Sequence, residues 1–433
     1  MSTLAVFGGK PVREKLFDAY NTIGEEEIKA VTETLRTGVL SKYLGCWHED
    51  FFGGPKVQEF EKMWAEKNQA KYAISVNSNT SGLVAALGAA GIQPGDEVIV
   101  SPYTMSASAI SCVFWGGIPV FADIDENTFC MSPATIAAKI TPHTKAILVV
   151  HIFGHPCDMD PIMELAKKHN LVVIEDCAQA PFGKYKGRFV GTLGHMGVFS
   201  LNYHKHIHTG EGGVITTNHD FYAEKCQLIR NHAEAVADAK GVSDYTNLYG
   251  FNFRFPEIEA AMGIEQLKKV DYLLDTRIKN AEFLEKELRG IKYLDTCKAA
   301  EDVKHCYYIQ VMRYFSEKNG GLPREKYLKA LSAELPSSYM REKDPLIGGG
   351  YVKPLYLQGI YQHNKIHFHG RNPQNYNYAK GLCPVAETMH EKQLISHEFM
   401  RSSMSQSDLV QVVEAFYKID KNMDEIIQRQ NEL

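Results

Sequence analysis

The 433-residue chain contains no basic run interleaved with aromatic residues, and its formal net charge is −5. A nucleic-acid partner is therefore not expected. It also lacks an apolar stretch long enough to span a membrane. Its first ten residues, Met1-Ser-Thr-Leu-Ala-Val-Phe-Gly-Gly-Lys10, have no basic segment leading into a long apolar one. Neither a membrane span nor a signal peptide is expected. The nine cysteines stand at 46, 112, 130, 157, 177, 226, 297, 306 and 383, and no two have the C-x-x-C spacing. Neither a cysteine zinc site nor a disulfide framework follows from that spacing, and a reducing cytoplasm fits. Internal repeats and low-complexity tracts are missing too. What is present is ordinary globular composition, 44% hydrophobic and 23% charged. The length suits about two or three domains with a large core.

From about residue 72 to 216, apolar strand-like runs alternate with helix-like segments. The predicted strands are 72–76, 97–100, 119–122, 146–150, 171–174, 197–201 and 213–217. Amphipathic stretches at 81–90 and 161–169 lie between them, and Pro-Gly-Asp at 94–96 and Gly-Gly at 116–117 mark turns. This pattern predicts an α/β fold with a mostly parallel sheet covered on both faces. A long helical pattern follows over 256–288, with Ile258, Ala261, Met262, Ile264, Leu267 and Val270 at helical spacing. Pro256 suits its first turn. The remainder is less regular, rich in Tyr and His, and includes a Gly-rich loop over 347–350.

Open parallel sheets bind ligands at the carboxyl ends of their strands, and four candidates lie at such ends. Asn77-Ser-Asn-Thr-Ser-Gly82 precedes a helix and offers free N–H groups suited to a phosphate, although simple capping is the commoner reason for such residues. Asp176 ends an apolar strand after Glu175, and a carboxylate at that depth needs a cationic partner or a capping role. Lys205 follows Ser200 by five residues and is flanked by His204 and His206. A solvated charge is the ordinary fate of a lysine, but a buried one becomes a nucleophilic amine able to form a Schiff base. Gly210-Glu-Gly-Gly213 allows a tight turn and close backbone approach. The order of phosphate loop, Asp and Lys on one βαβ framework is far more specific than any member alone, and it is the arrangement of the type I enzymes that use pyridoxal 5'-phosphate (PLP).

On these residues the chain resembles the DegT/DnrJ/StrS type of PLP-dependent sugar aminotransferases. The matching segments include Pro94-Gly-Asp-Glu-Val-Ile-Val-Ser-Pro-Tyr-Thr104, Pro119-Val-Phe-Ala-Asp-Ile-Asp125 and His151-Ile-Phe-Gly-His-Pro-Cys-Asp-Met-Asp160. They continue through Ile174-Glu-Asp-Cys-Ala-Gln179, Gly191-Thr-Leu-Gly194, the Lys205 segment, Arg230-Asn-His232 and Gly250-Phe-Asn-Phe-Arg254. They span most of residues 1–270 and continue more loosely to the end. The resemblance implies a type I PLP-transferase fold with a seven-stranded, mostly parallel sheet. A large domain over 1–285, with an N-terminal arm over 1–20, would be followed by a smaller C-terminal α+β domain over 286–433.

The resemblance also implies roles. Lys205 would bond the cofactor and shuttle a proton. Asp176 would pair with the pyridine nitrogen, and Gln179 would lie on the ring-hydroxyl side. Asn79, Thr80 and Ser200 would bind the phosphate. Asn252, with Arg254, would reach the partner's cofactor phosphate across a homodimer interface. The expected activity is transfer of an amino group from L-glutamate or L-glutamine to a keto group of a nucleotide-linked keto-deoxysugar, in the cytoplasm. Relatives usually carry an aromatic ring or His where this chain has Met105, whose thioether can pack on a ring face, and Gly where it has Asn79. Residues 335–382 are longer and richer in His, Tyr and Asn than in those relatives.

Other readings stay open at this stage. His204-x-His206-x-His208 and His363-x-x-x-His367-x-His369 resemble metal-ligand clusters, because alternate residues of a strand share a face, yet no carboxylate or cysteine motif completes a site. No metal is expected. A keto-cyclitol aminotransferase, a PLP-dependent sugar dehydratase and a non-catalytic PLP-binding regulator are the alternatives. Retention of Lys205, where dehydratases of this type carry His, weighs against dehydration. No appended DNA-binding segment supports a regulator.

Overall fold

The structure, a computed structural model, describes residues 3–336, 346–363 and 376–433. Its centre is a seven-stranded sheet of β1 (Tyr72–Val76), β2 (Glu97–Val100), β3 (Ile118–Phe121), β4 (Thr144–Val150), β5 (Val172–Asp176), β6 (Met196–Ser200) and β7 (Gly213–Thr217). The order is β1-β7-β6-β5-β4-β2-β3. Only β7 runs antiparallel to its neighbours, and the others are parallel. All seven strands lie within two residues of their expected bounds. Their Val/Ile-rich runs are buried along almost their whole length because helices cover both faces. The helix Asn79–Ala89 is buried nearly all round. Gly82 sets its closeness to the sheet, since a Cβ there would lie 2.5 Å from Val198 Cγ1.

The helix Glu257–Leu288 links two cores. Pro256 stands just before it as the N-cap residue. Ala260, Ile264, Leu267, Val270 and Leu274 belong to the core around the large sheet, and Ala281, Leu284 and Leu288 to a second one. The second core surrounds an antiparallel sheet in the order Leu294–Asp295, Gln310–Tyr314, Leu394–His397, Ile347–Gly349. Leu4 and Phe17 of the N-terminal segment also pack there.

The Gly-rich run expected as a loop is thus, over Ile347–Gly349, an edge strand. Its glycines leave room for Arg324, which occupies the space a Cβ at Gly349 would take, 2.7 Å from Arg324 Nε. The buried guanidinium donates to the carbonyls of Met389 (3.2 Å) and Leu394 (3.0 Å). Beyond this strand the chain returns to the large sheet. Tyr351 N donates to Tyr103 Oη at 2.8 Å, and Leu355 N donates to Pro102 O at 2.7 Å.

Candidate active site

Alternation along β5 sends its last two carboxylates to opposite sides of the sheet. Glu175 is consumed by structure. Its oxygens accept from the backbone N–H groups of Gly191 (2.8 Å), Leu193 (2.8 Å) and Gly194 (2.6 Å), and from His151 Nε2 (2.9 Å). Asp176 faces a cavity of about 220 Å³ at the carboxyl ends of the strands. Ser108 Oγ donates to its Oδ2 at 2.8 Å, and Ala178 N to its Oδ1 at 3.1 Å. Among the described residues it makes no ion pair, and burial raises its pKa despite those two hydrogen bonds.

Lys205 sits on the connection from β6 to β7. Hydrogen bonds from Leu201 N to Gly212 O (2.9 Å) and from Thr209 N to Leu201 O (3.0 Å) close that loop, and Lys205 N donates to Asn202 O (2.9 Å). The side chain is only 8% exposed, and its Nζ lies 4.2 Å from the Tyr308 ring centroid. Desolvation pushes its pKa down to about 8, against the opposing pull of Asp176 and Glu398. A buried lysine near that value carries a sizeable neutral fraction at physiological pH.

At one end of the cavity, Ser78 caps the helix Asn79–Ala89 by accepting from Ser81 N at 3.0 Å. The N–H groups of Asn79 and Thr80 belong to the first turn, which has no intrahelical acceptors for them. The side-chain amide of Asn79 is turned into the sheet, donating to Val198 O at 3.1 Å and reaching Asp176 Oδ1 at 3.5 Å. Ser200 Oγ accepts from Asn202 N at 3.2 Å, which leaves its own proton to donate elsewhere. The start of β7 comes this close because residue 213 is glycine. A Cβ there would lie 2.6 Å from Ser78 C and 2.8 Å from Asn79 N.

Gln179 is held from two sides: its Oε1 accepts from Phe153 N at 2.6 Å and its Nε2 donates to Tyr351 Oη at 2.9 Å. Met105 lies 58% exposed at the cavity mouth. Asn79, Thr80, Met105, Asp176, Gln179, Ser200 and Lys205 therefore line one cavity. Asn252 does not. It is exposed in the single chain and bridged to Asn231, whose Oδ1 accepts from Arg254 Nε at 2.9 Å.

Three contributors escaped sequence reasoning. Ser108 lies in the first turn of the helix Ser106–Val113, while Tyr308 and Tyr351 arrive from distant segments. Only the Ser108 position, shortly after the strand-end segment 101–104, carried any local signal.

The histidines at 204, 206 and 208 do not share a strand face, the arrangement on which the alternative metal reading rested. Residues 203–207 make a turn and bends. His204 lines the cavity, whereas His206 is buried and donates from Nε2 to Cys306 O at 2.9 Å. Burial holds His206 well below the usual imidazole range. His367 and His369 lie outside the described residues. The one buried cluster of possible metal ligands among the described residues is His151, Glu175 and Cys177. Both His151 nitrogens are already used, Nδ1 accepting from Cys157 N at 3.0 Å and Nε2 bonded to Glu175. No described helix is long and apolar enough to cross a membrane.

The sheet order, with a buried lysine and a buried aspartate meeting at the strand ends, places the protein among α/β transferases with a largely parallel central sheet. The family model of the DegT/DnrJ/EryC1/StrS aminotransferase family matches residues 21–417. The chain belongs to that family and is an aminotransferase of the sugar-aminotransferase type. It is 35% identical over 408 residues to the spore coat polysaccharide biosynthesis protein SpsC of Bacillus subtilis, covering 93% of this chain and 96% of that one. It is 40% identical over 311 residues to the GDP-perosamine synthase of Escherichia coli O157:H7, covering 72% and 81%. The solved structure of an aminotransferase from Psychrobacter cryohalolentis superposes with a TM-score of 0.79 at 31% identity, covering 94% of this chain and all of that one (100%).

Proposed function

We propose that the protein uses PLP to move an amino group from L-glutamate or L-glutamine to a keto group of a nucleotide-linked sugar. The observation that carries this reading is the pairing, across one cavity, of a buried amine able to lose its proton with a buried carboxylate that forms no ion pair among the described residues. The donor set fits PLP. Asp176 would receive the protonated pyridine nitrogen. The free N–H groups at the start of the helix Asn79–Ala89 and the Ser200 hydroxyl would take the phosphate, with the Asn79 side chain steadying Asp176 instead of contacting it. Gln179 would lie on the ring-hydroxyl side, Met105 would pack on the ring, and Lys205 would bond the cofactor.

When bound, PLP supplies an electron sink for negative charge at the amino-bearing carbon. The chain's own part is proton handling and exclusion of water. The Lys205 amine, neutral in part because it is buried, would be the group that takes up and returns the proton of the amino-bearing carbon. Asp176, fixed by hydrogen bonds from Ser108 and Ala178, would hold the ring nitrogen of the cofactor. Similarity to a GDP-perosamine synthase supports a nucleotide-linked acceptor. The exposed Asn252 supports a homodimer in which it reaches the partner's phosphate site, with large and small domains meeting near residue 285.

The test is a two-stage assay. Enzyme loaded with PLP is mixed with candidate donors and followed by its absorbance. The aminated form is then offered nucleotide-linked keto-sugars and, separately, keto-cyclitols. Conversion by glutamate or glutamine and re-oxidation by a nucleotide keto-sugar is the expected result. Re-oxidation by a keto-cyclitol alone would overturn the sugar assignment, and activity in Lys205→Ala would overturn the mechanism.

A further inference from the structure

We propose that Tyr308 is a positioning residue for Lys205: its ring face holds the lysine ammonium whenever the amine is not bonded to the cofactor. This rests on the assignment of Lys205 as the proton-carrying lysine. In such a cycle the side chain is released, takes a proton and must stay within reach of the reacting carbon. A long, flexible chain with a loose ammonium loses rotamer freedom each time it returns. A ring face that attracts cations supplies a fixed resting place without a competing negative charge.

The geometry is specific. Lys205 Nζ lies 4.2 Å from the Tyr308 ring centroid, inside cation–π range, and both residues line the cavity. Tyr308 is itself firmly placed. Its N–H donates to Phe153 O at 2.8 Å. The guanidinium of buried Arg277 donates from Nη1 to the carbonyls of both Tyr307 and Tyr308, each at 2.9 Å. Tyr307 takes a left-handed φ of 47°, and its ring stacks on His305 at 3.9 Å. Gly154, at φ 95°, admits this segment, because a Cβ there would lie 2.8 Å from Tyr307 N and 3.0 Å from Tyr308 N. The segment 153–154 and the helix Glu257–Leu288, together with the turn at Tyr307, thus fix the backbone that carries this ring over the amine. The charged and titratable groups around the amine are Asp176 from β5, Glu398 from beyond the strand Leu394–His397, and His206 on the lysine's own loop. His204 and Tyr351 border the same cavity.

The experiment measures how readily Lys205 itself is protonated in the full chain stripped of cofactor. Trace labelling with fluorodinitrobenzene between pH 6 and 11, with quantification of the Lys205 peptide, gives the midpoint directly. Wild type should titrate near 8, the value to which burial lowers this amine. Tyr308→Phe keeps the ring face and should keep the midpoint. Tyr308→Leu removes the attraction for the ammonium, so the midpoint should fall by about 0.5 to 1.5 pH units. Turnover should fall through kcat with KM for the donor little changed.

Pentafluorophenylalanine at position 308 preserves shape and reverses the electrostatics of the ring face, so it should lower the midpoint as Leu does even if the Leu variant folds poorly. A merely structural role would change unfolding temperature and leave the midpoint in place. An unchanged or raised midpoint in both variants would overturn the proposal. If wild-type Lys205 instead titrates like a surface lysine, the assignment of Lys205 fails first and the proposal falls with it.

Discussion

Glu175→Gln isolates the structural half of the Glu175–Asp176 pair. The carboxylate accepts four hydrogen bonds in a fully buried site, two on each oxygen: Leu193 N and Gly194 N on Oε1, Gly191 N and His151 Nε2 on Oε2. A glutamine keeps one acceptor oxygen. Its amide nitrogen then faces two donors whichever way it turns. His151 cannot adapt by changing tautomer, because its Nδ1 already accepts from Cys157 N. Two bonds to a charged group are lost, each worth about 1.5–3 kcal/mol, for a total of roughly 3–6 kcal/mol. That is a large share of a usual stability of about 5–15 kcal/mol. Urea unfolding followed by far-UV circular dichroism should show the midpoint falling by about 1–2 M, taking a slope near 3 kcal/mol/M for a chain of this size. PLP affinity of the still-folded protein in dilute buffer should stay within a few-fold of wild type, since Asp176 keeps its own partners. A midpoint shifted by less than about 0.2 M would refute the view that Glu175 anchors the 191–194 loop.

Ser108→Ala removes the hydroxyl donating to Asp176 at 2.8 Å. Equilibrium titration should show PLP binding weakened by about 10- to 100-fold, the equivalent of one charge-assisted hydrogen bond. Burial lowers Lys205 from 10.5 to about 8, so its neutral fraction at pH 7 is about one in ten, against about one in three thousand for an ordinary lysine. Stopped-flow recombination of the stripped protein with PLP should therefore speed up as pH rises from 6, levelling off above about 8, whereas a rate still climbing towards pH 10 would contradict the depressed value. If each site uses Lys205 of one chain and Asn252 of the other, mixing and re-assembling Lys205→Ala with Asn252→Ala protomers should recover up to about a quarter of wild-type activity, because half the dimers form one intact site. No recovery beyond the sum of the parents would place Asn252 outside the partner's site.

Much of this protein was determined locally. Apolar runs bounded by turn residues set the seven strands, because a strand covered on both faces must be apolar throughout. Those same runs end at Asp176 and Ser200, so the strand ends where ligands bind were visible as places where apolar sequence turns polar. The order of the polar segment 77–82, Asp176 and Lys205 was likewise visible along the chain. Direction and partnership were decided only by the tertiary structure. Glu175 and Asp176 differ by one residue and read alike, yet the pleat sends one to four structural donors and the other to the cavity. Asn79 opens the helix that follows β1, but its amide turns to Val198 O because β6 lies beside it. The histidines flanking Lys205 part company, one lining the cavity and one buried against Cys306, because the loop turns where alternation along a strand would have aligned them. Tyr308 and Tyr351 had no signal near the lysine or the aspartate, since sequence patterns encode period and capping within an element, whereas a contact between distant segments depends on how the elements pack.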